Sequence, residues 1–221
     1  MPNPKFGAKF PVTLGNICVQ RRLCVFNAFF FPLIEMRDPY TFGHQHRVAL
    51  LAVAIGKELS MSQEEIDIIE VAGLLHDIGK AAVHAELLVK PSQLTVLEFE
   101  LIKCHPQAGY DVLKDIPFME SLGKDVAIIV LQHHERIDGT GYPQGLKGDA
   151  IEYESKILSV ADIFEAMSSH RPYRPAFDIE SAKKELLNKR GKYYAPECID
   201  ACMRVIEQNH NDVSCLFKPD T

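Results

Sequence analysis

No Cys-x-x-Cys pair occurs in this sequence, although it has six cysteines: Cys18, Cys24, Cys104, Cys198, Cys202 and Cys215. No secretion signal opens it either. The cysteines therefore read as free thiols of a reducing cytoplasm rather than as a disulfide framework. Cys198 and Cys202 stand on one helical face, which alone is slight support for a metal. Long apolar runs are missing too. The most apolar stretch, Leu23 to Ile34, is twelve residues long, contains Asn27 and Pro32, and follows Arg21 and Arg22. A bilayer-spanning helix needs about 20 apolar residues, and no small-residue cleavage site follows the stretch. It reads as a buried or partner-facing helix, with no membrane span. Basic excess is also absent: 24 Lys and Arg stand against 30 Asp and Glu, a net charge of −6. A general surface for duplex nucleic acid is excluded, while a local basic cleft stays allowed.

There is no low-complexity tract and no repeat, so fibrous and disordered classes fall away. With 47% hydrophobic and 24% charged residues the composition is that of a globular protein. At about 150 residues per domain, 221 residues make one domain, or one with a small extension.

Alternating strand patterns are lacking, and helical signals dominate. Ser62 with Glu65 and Thr95 with Glu98 form capping-box patterns ahead of apolar runs. Asp178 is placed to cap a helix carrying Ala182, Leu186 and Leu187, with Gly191 as its stop. Val48, Leu51, Ala52 and Ile55 recur at helical spacing, and the segments 127–131 and 157–164 fit buried helices. The run Ile128 to Leu131 is strand-like by composition, but its polar flanks and helical neighbours favour a helix. An all-α fold follows. Two segments break the pattern: Lys80 to Gln93, with Pro91, and Ile137 to Ala150, which has four glycines and a proline.

Histidine placement carries the chemistry. His76 precedes Asp77, and His133 precedes His134; His44 and His105 fall in helical segments. Asp162 lies inside an apolar helix, where a carboxylate without a partner is costly. Steps of 29, 28 and 28 residues separate His76, His105 and His133, then His134 and Asp162. Each step fits two antiparallel helices of roughly 20 Å that return to the same end of a bundle. Five imidazoles and two carboxylates exceed what one tetrahedral zinc requires, so a binuclear site is the economical reading. Two cations a few Å apart activate a water and neutralise phosphodiester oxygens. Imidazole with carboxylate suits iron, manganese or zinc without selecting among them; iron or manganese is expected, with zinc, nickel and magnesium compatible.

The stretch Arg37-Asp38-Pro39-Tyr40-Thr41 with Gly43-His44, then His76-Asp77-Ile78-Gly79-Lys80, His105-Pro106, His133-His134-Glu135-Arg136, Asp138-Gly139 and Gly141-Tyr142-Pro143 resembles the HD-GYP family. These are HD metal-dependent phosphohydrolases that hydrolyse bacterial cyclic di-GMP. The likeness runs from about Ile34 to about Val205. It implies an HD-type helical bundle with a binuclear metal site at one end. By position it implies His44, His76 and Asp162 on one metal and His105, His133 and His134 on the other. Asp77 would bridge the two, with a water or hydroxide between them as nucleophile. Lys80, three residues after Asp77, would contact a phosphate oxygen or the leaving group. Arg171 and Arg174, in Arg-Pro-Tyr-Arg, match positions that hold substrate phosphate. Arg136 would bind the ligand or pin its loop. The loop Gly141-Tyr142-Pro143 would make a tight turn beside the site or offer a surface to a signalling protein or to substrate, and a homodimer is compatible. Tyr40 stands where some members carry a Glu that holds a third metal, which favours two. His46 and His84 are not expected to be ligands.

The sequence departs from the family's pattern at Lys156, at Glu165 and at Pro32. The division expected is an N-terminal extension with an apolar helix at 1–33, a catalytic domain at 34–208 and a flexible tail at 209–221. The function implied is a cyclic di-GMP phosphodiesterase giving pGpG, and GMP after a second cut. A phosphohydrolase for another cyclic dinucleotide and a non-catalytic cyclic-dinucleotide receptor are the alternatives.

Overall fold

The computed structural model describes residues 43–116, 126–169 and 177–209. The expected N-terminal helix, the tail, Tyr40, Arg171 and Arg174 lie outside the described residues. Among those residues there are nine α-helices and no named strand. They are α1 (His44–Glu58), α2 (Gln63–Leu75), α3 (Ala85–Leu88), α4 (Val96–Ile102), α5 (His105–Leu113), α6 (Val126–Gln132), α7 (Tyr153–Ser168), α8 (Ile179–Leu187) and α9 (Pro196–Gln208). The strand-like run Ile128 to Leu131 is helical, within α6. No helix of the described residues is long and apolar enough to cross a membrane.

Local chemistry sets the helix starts. The Ser62 and Thr95 capping boxes form in full, each side chain accepting from the N3 amide while Glu65 or Glu98 reaches back to the cap amide. Asp178 accepts from the Ser181 amide at 2.9 Å and opens α8. Pro196 opens α9, where its missing N–H costs nothing. The helix α8 ends at Leu187, earlier than Gly191 suggests; Gly191 instead takes φ +70° in the turn that follows.

The apolar faces then select the packing. Val48, Leu51, Ala52 and Ile55 of α1 meet Ile68, Ile69 and Ala72 of α2 in one core with Ile157, Val160 and Phe164 of α7 and Ile199 and Ile206 of α9. Burying each such side chain stabilises by roughly 1.5–3 kcal/mol. Cys198 and Cys202 belong to this core as free thiols, so their shared face is a packing face. At Gly73 an added Cβ would come within 2.7 Å of the Ala49 Cα, so α1 and α2 touch through their backbones.

The regular 28-residue steps are not repeated helix hairpins. From His76 to His105 the chain makes a 3-10 turn (Ile78–Ala82) and the short helices α3 and α4, inside a segment expected to be irregular. From His134 to Asp162 it makes the long loop and half of α7. Only the step from His105 to His133 passes along a packed pair, α5 and α6. What brings the residues together is their position at helix ends. His44 begins α1 and His76 follows α2; His105 begins α5 and His133 follows α6. Antiparallel partners place the start of one helix beside the end of the other.

Candidate metal centre and cleft

His76, His105 and His133 each turn Nδ1 onto the carbonyl three residues earlier: Gly73 O at 2.7 Å, Ile102 O at 2.8 Å and Val130 O at 2.6 Å. A carbonyl only accepts, so Nδ1 carries the proton and each Nε2 presents a lone pair. His44 Nδ1 donates in the same way to Glu165 Oε2. The Nε2 atoms converge on two carboxylates. Asp77 Oδ2 lies 3.5 Å from His76 Nε2 and 3.8 Å from His44 Nε2, while its Oδ1 lies 3.5 Å from His105 Nε2. Asp162 Oδ1 is 3.2 Å from His44 Nε2, and its Oδ2 is 4.0 Å from His134 Nδ1. Two triads of donor atoms result, His44 with His76 and Asp77, and His105 with His133 and His134, each spanning less than 4.8 Å. Asp77 faces both.

Electrostatics leave these donors ready for a cation. Burial pushes the His76, His133 and His134 imidazoles down, His134 to about 3, and pushes His105 down to about 4. All four are therefore neutral near pH 7. Burial works against the charged form of Asp77 too, but the Lys80 ammonium 2.7 Å away and the surrounding imidazoles hold it well below the usual carboxylate range. His44 behaves differently. Burial pulls it down, yet hydrogen bonds to Asp162 and Glu165 raise it overall. His76 Nε2 is buried with no hydrogen-bond partner, a costly state for a lone pair. A divalent ion held by these donors would satisfy it, so the set fits the metals that nitrogen and oxygen ligands bind.

A model of the HD domain matches residues 29–198. The chain belongs to the HD domain family. The HD-GYP resemblance of its motifs stands within that family. The cyclic di-GMP phosphodiesterase response regulator RpfG of Xanthomonas campestris is 42% identical over 171 residues, 77% of this chain and 45% of that protein. The 3'3'-cGAMP-specific phosphodiesterase 3 of Vibrio cholerae is 35% identical over 184 residues, 83% of this chain and 39% of that protein. The chain thus spans less than half the length of either curated relative. The structure of Bd1817, an HDG"Y"P protein from Bdellovibrio bacteriovorus, aligns with a TM-score of 0.60 at 22% identity, over 74% of this chain and 51% of that one. It is a likeness of fold. HD-domain phosphohydrolases are metal-dependent, and the two triads could hold metal.

The other sequence-read residues divide. Lys80 is in the site, bonded to Asp77 Oδ2. His46 and His84 are exposed. Arg136 is placed with its guanidinium over the Tyr193 ring at 5.0 Å and bonded to Tyr194, which pins the loop's base against α9's approach.

Two buried carboxylates matter more than the sequence suggested. Glu135 accepts from the backbone amides of Gln144 at 2.6 Å, Gly145 at 3.1 Å and Leu146 at 3.0 Å. It thereby fastens the Gly-Tyr-Pro loop, whose Tyr142 ring packs 4.7 Å from the His134 ring. Glu165, noted only as a departure, holds His44 through one oxygen. Its other oxygen takes the Arg47 Nε at 2.6 Å and the Ser169 hydroxyl at 2.7 Å. Burial would raise its carboxyl, but the His44 bond, Ser169 and Arg47 hold it at about 2. A charged carboxylate behind a ligating imidazole orients the ring and raises its basicity. Glu165→Gln is expected to weaken metal affinity about 10- to 100-fold with the fold intact, measured by competition against a chelating dye. Wild-type affinity in that variant would reduce Glu165 to a packing residue.

Part of the donor cluster opens on a cleft of about 650 Å³. His44, Asp77, Lys80, His134 and Asp162 form one part of it, and Phe99, further residues of α7, Phe177, Glu185 of α8 and Lys189 the rest.

Proposed function

We propose that this chain is a metal-dependent phosphodiesterase that hydrolyses a cyclic dinucleotide, cyclic di-GMP foremost. The observation that carries the reading is the pair of donor triads facing one shared carboxylate, Asp77, in an open cleft. His44, His76 and Asp162 would hold one ion and His105, His133 and His134 the other, with Asp77, which faces both sets, as their shared carboxylate. Iron or manganese suits this donor set. Two bound divalent ions supply Lewis acidity, lowering the pKa of a water and neutralising the phosphodiester oxygens.

The chain's residues do the rest. The backbone carbonyls behind His76, His105 and His133, and Glu165 behind His44, orient those four imidazoles in advance. Lys80 stands beside Asp77 at the cleft wall, where its ammonium can donate to a phosphate oxygen as charge builds there. Water attacks phosphorus and the 3′ oxygen leaves with a proton, giving linear pGpG; a second cut by the same chemistry gives GMP. The packing of Tyr142 on the His134 ring supports the Gly-Tyr-Pro loop as a brace behind the site rather than a docking surface. Arg171 and Arg174 hold the phosphate that is not being cut, which the metals cannot neutralise.

The test is metal analysis of aerobically and anaerobically purified protein, each assayed with cyclic di-GMP. Two ions per chain and product formation are expected. Tight binding without turnover by the loaded protein would make it a receptor, and one ion at full activity would end the binuclear assignment. Replacing Arg171 and Arg174 together by Ala is expected to raise KM for cyclic di-GMP well beyond any change on bis(p-nitrophenyl) phosphate, which has no second phosphate. Equal losses on both substrates would remove the recognition role.

A further inference from the structure

The cleft has lining residues that the metal chemistry does not use. Glu185 sits near the end of α8, and Lys189 follows one turn later; both line the cleft that also holds Asp77 and Lys80. Their side chains pair, Nζ to Oε1, at 3.1 Å. Among the described residues lining the cleft, Glu185 is the one carboxylate outside the metal cluster, and Lys189 the one ammonium besides Lys80. The pair is half open to solvent, with Lys189 at 24% and Glu185 at 45% exposure, so it can exchange its partners for a ligand. As an i,i+4 surface pair it contributes little to folding. Ile163, Met167 and Phe177 give the same cleft an apolar lining. Phe177 is held there because its amide donates to the Met167 carbonyl at 2.9 Å.

We propose that Glu185 and Lys189 read the edge of a guanine base, and so set the base preference of the site. The inference rests on the cyclic-dinucleotide reading above and deepens it. With a phosphate at the metal centre, a base of the same molecule is carried along the cleft. The apolar wall takes its flat face, as apolar and aromatic side chains do in base pockets. Guanine presents O6, N1–H and the N2 amino group in a row: one acceptor beside two donors. A carboxylate accepts from N1–H and N2–H, and an adjacent ammonium donates to O6. The Glu185–Lys189 pair has that order of charge. Adenine reverses it, setting an N6 amino donor against the ammonium and a lone pair at N1 against the carboxylate. A site built to bond a substrate donor rejects the analogue lacking it far more strongly than an apolar pocket rejects a change of size.

The test compares kcat/KM for cyclic di-GMP and cyclic di-AMP on the metal-loaded full chain. The wild type is expected to favour cyclic di-GMP by at least about 100-fold. Glu185→Ala should lower that ratio about 10- to 100-fold, the worth of a charge-assisted hydrogen bond, and Glu185→Gln, which keeps the length, should lower it too. The control is Glu180→Ala. Glu180 also lies on α8 but pairs with Lys183, and its loss should leave the ratio alone. Metal content and melting temperature, read on every variant, separate recognition from support. Three results overturn the inference while leaving the phosphodiesterase standing: a wild-type ratio near one, a ratio kept in both Glu185 variants, or equal losses on the two substrates. A loaded wild type that turns over neither cyclic dinucleotide overturns the phosphodiesterase reading, and the guanine site with it.

Discussion

Asp77→Ala is expected to release both metal ions and abolish turnover while the helices stay folded. Asp77 is the residue that faces both donor triads, Oδ2 toward His44 and His76 and Oδ1 toward His105. Its carboxylate also supplies the negative charge around which the neutral imidazoles gather. Without it, five histidines and Asp162 must hold two dications, and their mutual repulsion is unrelieved. Hydrolysis should fall by at least about 10³-fold, the scale of losing a principal electrostatic element of such a site. The helix cores do not include Asp77, so far-ultraviolet circular dichroism should be retained. The melting temperature should fall toward that of the metal-free wild type, because ions that bind only the folded state stabilise it by mass action. Asp77→Asn separates charge from shape and should behave similarly. Lys80→Ala offers the contrast: it should keep the ions and slow hydrolysis about 10- to 100-fold, the worth of one charge-assisted contact of about 1.5–3 kcal/mol. Full metal content with wild-type turnover in Asp77→Ala would withdraw the bridging role.

Some of this was legible in the sequence because it is local. The capping boxes at Ser62 and Thr95 and the Asp178 cap are decided within four residues, and they form as read. The reach of Lys80 to Asp77 is likewise a three-residue matter. The set His44, His76, Asp77, His105, His133, His134 and Asp162 could be chosen from its motifs, and the fold brings those side chains into one cluster. The route was misread, however. Equal spacing suggested equal hairpins, whereas the chain between His76 and His105 is a 3-10 turn and two short helices. Spacing counts residues but does not report their direction. The supporting carboxylates were hidden for a related reason. Glu165 meets His44 across 121 residues, and that contact exists only once α1 and α7 pack. Glu135 meets three amides of a loop whose path follows from its glycines, and no periodicity encodes that.

A backbone contact of the same hidden kind gives the second large effect, at Gly79. Its conformation is ordinary, with no positive φ, so strain in the turn is not the reason for glycine. Space is. A Cβ there would stand 1.9 Å from the carbonyl oxygen of His105 and 2.5 Å from the amide nitrogen of Gly109. Both are backbone atoms of α5 and cannot swing aside as a side chain would. Ala is the better helix former by about 1 kcal/mol, but overpacking costs about 1–3 kcal/mol and more where backbone must move, so the clash wins. Relief requires α5 to back away from the 3-10 turn, and His105 begins α5. Its Nε2 then leaves the 3.5 Å approach to Asp77 Oδ1, and the triad with His133 and His134 opens. Gly79→Ala should therefore lower the melting temperature by about 6–12 °C, taking about 3 kcal/mol at 2–4 °C per kcal/mol for a chain of this size. It should also cost the ion on the His105 side before the one on the His44 side. Gly56→Ala is the control. Gly56 lies inside α1, where an added Cβ meets only side-chain atoms at 3.5 Å or beyond, so helix propensity should decide and stability should hold or rise. Thermal unfolding and metal stoichiometry on the two variants distinguish them. If Gly79→Ala kept both the wild-type melting temperature and two ions, the turn would be free to move, and its contact with α5 could not be what aligns His105 with Asp77.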